Sequence, residues 1–538
     1  MPEYLHPGVY IEEIERGPKP IEGVPTSTAA ILGEAERGPT MPTLVTSYKE
    51  YQRWFGNVFA RDKFLPYAVS GFFENGGKRT YIARIVKFAA APSTLKFGDS
   101  FSIATSGPGT WGNRVWARIL ESTTTKPDPD NKGKSIPIGF RIQLAYWSSF
   151  PDGGEPFDAF DKANATKLPR PVYTEDFDDL STDESSPDYY GKRFPLIDLG
   201  KGQQLQGPMS STLGVLVRAD GVAPNALPDF DGKSLAGGTD GAEGDQTVAL
   251  PDFVGEPEDP KLPPQGLKAL ELDTYRDVAL VYAPDVASDV ALAIDGHCAR
   301  MRFRFAVIDS AKNKANAGEL DPRTTMPLDS SYSAFYYPWI TISDPRTGAR
   351  KLVPPGGHVL GVYARTDTER GVFKAPANEL VRGALDLEYD INDAMQDNLN
   401  PKSVNVIRRF PGRGIRVWGA RTLSSNGLWR YNSVRRLFIF LERSIYEGTQ
   451  WVVFEPNEPR LWGRVSDTVR LFLRTQWRLG ALFGRTEDQA FFITCDETVM
   501  TQDDILNGRL ICEIGIAPVR PAEFVVFRIF QNTADAQS

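Results

Sequence analysis

Histidine is rare in this chain, and none of its three imidazoles lies in a pattern typical of an active site. His6 lies near the N-terminus, His297 precedes Cys298 on a predicted helix, and His358 lies in a glycine-rich stretch. A hydrolase would need one of them to activate a serine or cysteine, with an acidic group to orient it. No HExxH or other recognised catalytic motif surrounds them. A hydrolase that uses His358 with distant Ser and Asp partners is therefore the weakest functional alternative.

Two short segments are similar to the end of a phosphate-binding loop. Gly232-Lys233-Ser234 and Gly133-Lys134-Ser135 have the final residues, but the glycine required five positions upstream is Leu227 or Asp128. Neither segment predicts a nucleotide site. An acidic cluster has the residue types for calcium without EF-hand spacing, so we interpret it as a surface loop and expect no metal and no cofactor. The cluster consists of Asp229, Asp231, Asp240, Glu243 and Asp245.

Cysteine is scarce and widely spaced. Cys298, Cys495 and Cys512 are the three cysteines of the chain, and no two of them form a CxxC pair. This usage is typical of a reducing compartment, and it predicts neither a disulfide framework nor a zinc site. We expect buried thiols.

Length and composition indicate a multidomain globular protein. The 538 residues exceed what one hydrophobic core serves, so two to four domains are expected. A formal charge of -8 argues against general nucleic-acid binding. The N-terminus lacks a basic segment followed by an apolar one, and no run of about 18 apolar residues occurs. We therefore expect synthesis in the cytoplasm and no direct membrane insertion.

Charge is distributed unevenly along the chain. Residues 151–260 contain 8 Lys plus Arg against 22 Asp plus Glu, whereas residues 401–490 contain 16 against 7. Two blocks of opposite sign either face different surroundings or are the solvated faces of unrelated domains.

An extended arm and a split α/β domain are predicted for much of the chain. Residues 1–26 contain five prolines, which exclude a long helix and indicate an arm. Alternating strands and helices indicate α/β folding over residues 27–88 and again over 265–400. We interpret the two stretches as one domain that an insertion splits. The predicted strands are 28–33, 80–86, 278–283 and 304–309, and the predicted helices are 48–55, 65–75 and 286–301.

The insertion and the C-terminal region differ in their sequence patterns. Residues 89–264 alternate short apolar runs with stretches rich in Pro, Gly, Asp and Ser, which predicts a β-rich acidic insertion. Residues 401–538 are predicted to form an α+β domain that closes with strands at 509–516 and 523–530. Its predicted helices are 432–447, with Val434, Leu437, Phe438, Leu441 and Ile445 on the apolar stripe, and 466–483, with Val469, Phe472, Leu473, Leu479 and Phe483 buried.

One long segment carries the strongest signal. Residues 331–379 concentrate aromatics, prolines and glycines and offer no set of nucleophile, base and acid, so we expect contact rather than chemistry. The segment resembles the signature of contractile tail sheath proteins, which occur in phages with contractile tails and in related bacterial injection particles. The matching motifs are Tyr336-Tyr337-Pro338-Trp339-Ile340, Val353-Pro354-Pro355-Gly356-Gly357-His358-Val359, Tyr363-Ala364-Arg365-Thr366-Asp367, Arg370-Gly371-Val372 and Lys374-Ala375-Pro376-Ala377-Asn378.

Both ends of the chain extend the resemblance. Residues 7–13 are similar to the start of sheath proteins, and residues 435–442 and 448–457 are similar to their C-terminal domain. The resemblance does not extend to the insertion. It implies that the insertion faces outward and that the 401–538 domain forms the inner wall, which agrees with the acidic and basic blocks.

The terminal segments indicate how neighbouring subunits would be joined. An extended arm and a closing edge strand both leave backbone N–H and C=O groups unpaired. Either they pair inside their own chain, or the arm of one subunit and the final strand of another complete a sheet in a third. The resemblance implies the second arrangement. The linker residues would be Gly8, Val9, Tyr10, Ile11 and Glu12 in the arm and Phe524, Val525, Val526, Phe527 and Ile529 in the final strand.

Three arginines recur at every fourth position of the predicted 466–483 helix. Arg470, Arg474 and Arg478 would form a cationic ridge away from the apolar stripe. On the resemblance, the ridge is a candidate contact with an acidic inner tube. The alternative is a solvated helix face with local salt bridges.

The function that the resemblance implies is mechanical, and no enzyme activity is expected. The chain would be a sheath subunit that polymerises as stacked hexameric rings around an inner tube and contracts to drive the tube through a target envelope. Its partners would be further copies of itself, the inner tube protein, baseplate proteins, terminator or cap proteins and, where present, sheath paralogues. It would become part of a phage tail or of a released extracellular injection particle. The alternative is a non-contractile surface or receptor-binding component of such a particle.

Overall fold

The computed structural model describes residues 20–128, 133–150, 153–202, 204–257, 263–315 and 318–528. The described chain forms two compact units. The larger, called the body, contains residues 26–369 and 376–430; the smaller, called the C-terminal unit, contains the described residues of 1–25 and 431–538 together with 370–375.

Strands and helices alternate along much of the described chain. The strands are β1 (Ala29–Gly33), β2 (Thr43–Val45), β3 (Thr80–Arg84), β4 (Thr94–Phe97), β5 (Phe101–Thr105), β6 (Val115–Glu121), β7 (Thr125–Pro127), β8 (Ser135–Pro137), β9 (Gly139–Tyr146), β10 (Tyr173–Ser181), β11 (Leu196–Asp198), β12 (Leu205–Gln206), β13 (Gly214–Arg218), β14 (Gly232–Ser234), β15 (Leu280–Tyr282), β16 (Phe305–Asp309), β17 (Ser333–Tyr337), β18 (Ile340–Ser343), β19 (Arg350–Val353), β20 (Glu379–Leu380), β21 (Asp386–Leu387), β22 (Val404–Phe410), β23 (Gly414–Trp418), β24 (Phe491–Thr494) and β25 (Glu513–Ile516). The α-helices are α1 (Tyr48–Phe55), α2 (Leu65–Glu74), α3 (Tyr190–Arg193), α4 (Leu250–Val254), α5 (Gly266–Leu270), α6 (Ser288–Met301), α7 (Pro322–Thr325), α8 (Gly356–Arg370), α9 (Asp393–Leu399), α10 (Asn432–Gly448), α11 (Pro459–Arg478), α12 (Glu487–Ala490) and α13 (Gln502–Leu506).

A nine-stranded sheet forms the centre of the body, in the order β2-β3-β1-β15-β16-β17-β22-β23-β20. The six strands from β3 to β22 are parallel, and antiparallel pairs close both edges. Every residue of β1, β3, β15 and β17 is buried, as expected for parallel strands covered on both faces. The strands and helices predicted for residues 28–86 and 278–309 are present in this order.

The first helices of the body follow from local sequence signals. The Ser47 side chain accepts a hydrogen bond from the Glu50 backbone N–H, which caps the start of α1. Gly56 ends the helix with a φ of +81°, a conformation that favours glycine. Farther along the chain, α6 buries Val290, Ile294 and Cys298 in a core that it shares with strands of the sheet.

Antiparallel sheets occupy the stretch predicted to be a β-rich insertion. One sheet has the order β10-β9-β6-β14, and a second has the order β12-β11-β13-β5-β4, in which only β11 and β13 are parallel. Their shared core contains Ile119, Ile142 and Leu216. The limits of 89 and 264 for a separate domain stay a prediction.

The C-terminal unit packs α10 and α11 with the two-stranded sheet β24–β25 around one core. The predicted helix over 466–483 differs from α11, which begins seven residues earlier and ends at Arg478. Gly480, at a φ of +87°, turns the chain away. Leu479 and Phe483 are consequently 63% and 72% exposed, so the prediction that they are buried is wrong.

The start of the C-terminal unit also differs from the predicted boundary at 401. β22 and β23 lie beyond that position but pair into the nine-stranded sheet, and the compact unit begins at Tyr431. The inner-wall role given to residues 401–538 stays a prediction.

Of the two strands predicted at 509–516 and 523–530, only the first is observed. β25 lies inside the predicted 509–516 strand, but the described part of 523–530, up to residue 528, forms no strand. Backbone hydrogen bonds of a strand need a partner edge, and residues 524–528 have none within the described chain. The arm residues Gly8 to Glu12 and Ile529 lie outside the described residues.

Candidate assembly surfaces

Much of the signature segment lies in the interior of the body, whereas its residues 370–375 belong to the C-terminal unit. Tyr336, Tyr337 and Trp339 are at most 1% exposed. The Tyr336 and Tyr363 hydroxyls are 2.8 Å apart, and Trp339 Nε1 donates to the Ser310 carbonyl oxygen at 2.8 Å. The contacts expected from this segment are therefore made largely within its own chain, where they fix the fold.

The glycines of the signature permit close packing of α8. A Cβ atom on Gly356 would lie 2.1 Å from Cε2 of Tyr282, and one on Gly357 would lie 2.4 Å from the Ala68 Cα atom. The Gly356 N–H donates to Asp309 Oδ1 at 2.8 Å, so a buried carboxylate caps this helix. Residues 356–366 are all buried, which explains why the helix shows no polar stripe.

Both described histidines are structural. His297 Nε2 lies 2.6 Å from Arg304 Nη1, and because a guanidinium only donates, Nε2 is the acceptor. The pKa of His297 is lowered to about 3, mainly by burial and to a smaller extent by the charge of Arg304. Burial lowers the pKa of His358 to about 4, and its ring packs where a side chain on Gly71 would be. Both rings are neutral near pH 7; His6 lies outside the described residues.

The segments considered above as phosphate or metal sites form strands and local contacts of the fold. Gly232-Lys233-Ser234 forms β14, which pairs with β6, and Ser135 is the first residue of β8, which pairs with β7. Asp240 accepts hydrogen bonds from Thr110, whereas Asp245 pairs with Lys87 at 2.9 Å. Within the described residues, no group of His, Cys, Asp and Glu has the arrangement of a metal site.

A cleft of about 970 Å³ lies where β1 and β3 end. This is the edge of a parallel sheet where ligands often bind. Its charged groups are engaged: Lys63 contacts Glu34 at 2.5 Å, and Arg84 donates to the carbonyl oxygens of Ala35, Gly38 and Pro108. These contacts give the cleft walls a structural role.

The three predicted ridge arginines lie on α11, but the structure adds a counter-ion. Arg470 Nη1 and Arg474 Nε lie 3.4 Å and 2.6 Å from the carboxylate of Glu487. Hydrogen bonding to Arg474 lowers the pKa of Glu487. Arg478 is exposed, and the described structure shows no ion pair for it. Glu487 follows α11 in sequence, and helical spacing alone did not reveal it.

The most exposed apolar segment among the predicted site residues consists of residues 524–527, called the chain end. The side chains of Phe524, Val525, Val526 and Phe527 are 73%, 67%, 77% and 84% exposed. The same unit contains β24 and β25, which pair only with each other in the described chain. Among the residues that the structure describes, the unit therefore combines a segment of high strand propensity that is paired with no strand and a two-stranded sheet to which no third strand is added.

Comparison with protein-family models shows which family matches this chain. Residues 262–423 match the model described as the phage tail sheath protein central domain, and residues 424–532 match the phage tail sheath C-terminal domain. Together the matches cover just over half of the chain. This chain belongs to the contractile tail sheath family. The boundary between the two matched domains, at residue 423, lies close to Tyr431, where the C-terminal unit begins its long continuous stretch.

Known sheath proteins are similar to this sheath chain at low identity. A putative prophage major tail sheath protein of Pseudomonas aeruginosa is 25% identical over 245 residues, which are 45% of this chain and 61% of that protein. The tail sheath protein of Vibrio phage KVP40 is 24% identical over 235 residues, 43% of this chain and 33% of that protein. The sheath chain thus matches less than two thirds of the length of either relative.

The fold of the sheath chain also matches a solved assembly. The contracted sheath complex of an extracellular contractile injection system, PVC, has a TM-score of 0.57 and 21% identity, with 100% of both chains covered. At this identity the likeness concerns the fold. Among the described residues, no helix is both long and apolar enough to cross a membrane.

Proposed function

We propose that this chain is the structural subunit of a contractile sheath. It polymerises as stacked hexameric rings around an inner tube, and contraction drives the tube through a target envelope. Baseplate and terminator or cap proteins bind the two ends, and sheath paralogues share the lattice where a particle has them. The particle is a phage tail or a released extracellular injection particle, assembled in the cytoplasm.

The observation that carries this proposal is the exposed apolar chain end. Four consecutive large side chains, Phe524 to Phe527, are each at least two thirds exposed. A solitary surface apolar residue is ordinary, but a run with high strand propensity and free backbone groups is a template for pairing with another chain. The open edges of β24 and β25 offer a complementary place for strands from neighbouring subunits.

Strand exchange would suit a contractile lattice. Main-chain hydrogen bonds between terminal segments stay formed while the bodies move past one another, so subunits remain linked in both lattice states. The arm residues Gly8 to Glu12 would supply one strand, and Phe524 to Ile529 would supply another. Contacts between bodies would then differ between the two states and provide the bistability.

Proline substitution within the chain end tests the proposal. Proline removes a backbone donor and restricts φ, so Val525→Pro is expected to prevent strand pairing, whereas Val525→Thr keeps both the donor and the β-branched shape. Electron microscopy after assembly with the inner tube and baseplate should show striated sheath for the wild type and Val525→Thr, and none for Val525→Pro. Deletion of residues 1–15 should have the same effect as proline.

Two outcomes would contradict the proposal. Normal sheath from Val525→Pro would exclude strand exchange through the chain end. Failure of the wild-type chain to polymerise even with tube and baseplate would favour a non-contractile surface component. A circular dichroism spectrum and melting temperature close to the wild type are expected for both Val525 variants, because the described segment forms no strand in its own chain.

A further inference from the structure

Two cysteines face each other at one end of the β24–β25 sheet. In the antiparallel register, Thr494 is paired with Glu513, so the next residues outward, Cys495 and Cys512, are opposite each other. They are separated by 17 positions in the sequence, a spacing that carries no motif. The strand register brings them together.

The two thiols also lie on the same face of the sheet. Cys495 is 7% exposed in the core of the C-terminal unit, and Cys512 packs against the same core. The two thiols are near enough to influence each other's pKa, and Ser466 of α11 also influences the pKa of Cys495. Both thiols are free in this structure.

The backbone at this position suits a covalent bond. Opposed residues of antiparallel strands have Cα atoms about 4.5–5.5 Å apart, and disulfides span Cα separations of about 4.4–6.8 Å. We propose that Cys495 and Cys512 are an oxidisable pair that forms an intrachain disulfide across the end of the β24–β25 sheet. The bond would close the segment between the strands, which contains α13.

A small-molecule disulfide such as oxidised glutathione is the oxidant in this proposal. The partly exposed Cys512 loses its proton and attacks one sulfur of the oxidant, which releases one glutathione thiolate. Cys495 then loses its proton and attacks the Cys512 sulfur, which releases the second glutathione. One protein disulfide forms, one glutathione disulfide is consumed, and the two leaving thiolates take up the two protons.

Burial makes the pair slow to react near neutral pH. It raises the pKa of Cys512 to about 12, and it also raises the pKa of Cys495. The thiolate is the attacking species. At pH values below that pKa, the rate should therefore increase about tenfold with each unit by which the pH is raised. Cys298 is fully buried in the body, and it should not react while that unit is folded.

The bond would have a consequence for assembly if the proposed function is correct. A disulfide restricts separation of the two strands that are proposed to accept strands from neighbours. The bond itself does not depend on sheath formation. Disulfide mapping on the unassembled chain therefore tests the inference separately from the proposed function.

The test is oxidation of the full, folded chain with excess oxidised glutathione at mildly alkaline pH. Remaining thiols are blocked with N-ethylmaleimide, and non-reducing peptide mass spectrometry maps the products. The expected product is one peptide pair joined through Cys495 and Cys512, with a mass decrease equal to two hydrogens and loss of two titratable thiols per chain. Cys298→Ala should leave this product unchanged.

Single variants separate the two chemical steps. Cys495→Ser should keep glutathione attached to Cys512, because the second attack is removed. Cys512→Ser should react more slowly, since Cys495 is less exposed. The inference is overturned if the wild-type chain gives blocked or glutathione-bearing cysteines with no joined pair, or if the cross-link joins two chains on a non-reducing gel.

Discussion

At the scale of single residues, the family signature encodes close packing. Gly357 lies so near Ala68 that any side chain would meet backbone atoms of α2 at 2.4 Å. Backbone cannot move aside as a flexible side chain can, and overpacked sites commonly cost about 1–3 kcal/mol. The signature glycines are therefore explained by folding of the body.

We predict that Gly357→Ala destabilises the body by about 1–3 kcal/mol or more. Gly463→Ala is the matched control, because no atom lies within 4 Å of the added Cβ on α11. Alanine is the better helix former, so this control should gain about 0.5–1 kcal/mol. Hydrogen exchange of α8 and α11 amides measures both effects, and unchanged protection of α8 in Gly357→Ala would contradict the packing argument.

The buried carboxyl of Asp309 gives a pH-dependent prediction. Burial raises its pKa from 3.8 to about 7, and the nearby Asp285 carboxylate adds to the shift. The folded chain thus binds this proton more tightly than the unfolded chain. Its contribution to stability is complete below about pH 4 and is lost as the pH rises through about 7.

Asp309→Asn should therefore become more stable relative to the wild type as the pH rises from about 4 to 7, by at most about 4 kcal/mol. Above that range the difference should be constant. Urea unfolding of the body at several pH values measures it. The exposed Asp289→Asn serves as control, and a pH-independent difference for Asp309→Asn would show that the carboxyl does not titrate in this range.

At the scale of elements, α11 shows what helical spacing can and cannot predict. Periodicity placed Arg470, Arg474 and Arg478 on one face, and the structure agrees. It did not reveal Glu487, because that carboxylate reaches the helix from the following segment. Apolar periodicity also continued past Arg478 to Leu479 and Phe483, where the backbone had already left the helix.

The shared Glu487 makes Arg478 the most informative charge to reverse. Reversal of Arg474 would also leave Glu487 beside a like charge, whereas Arg478→Glu disturbs no described ion pair. We predict that Arg478→Glu folds normally and reduces the fraction of tube-filled sheath, with a larger loss in the triple reversal. A triple Arg→Lys variant keeps the charge and should retain tube binding. Undiminished tube filling in the triple reversal would exclude the ridge as a tube contact.

The same contrast between local and long-range information holds for the body. Strands and helices of residues 28–86 and 278–309 were predictable, since their apolar periods and glycine stops are local. Assignment of β22 and β23 to the large sheet was not predictable, because their pairing joins residues such as Phe335 and Val404 that are far apart in sequence. The opposition of Cys495 and Cys512 was hidden for the same reason.

At the scale of the whole molecule, the proposed linkages differ in their response to salt. Strand exchange depends on main-chain hydrogen bonds and apolar burial, which salt screens little. Docking through exposed arginines is screened over about 3 Å at 1 M salt. We predict that concentrated sodium chloride releases the tube and leaves the sheath polymer intact, as electron microscopy would show. Release of single subunits at the same salt would indicate that charge pairs hold the sheath together.

The path of the main chain between the two units has a mechanical consequence. Residues 370–375 leave the body and return to it, so four peptide connections join the units, at 25–26, 369–370, 375–376 and 430–431. Ile21 and Val372 complete the core of the C-terminal unit from outside its continuous stretch. A protease that cuts any one of these connections would therefore leave the two units joined covalently through the other three.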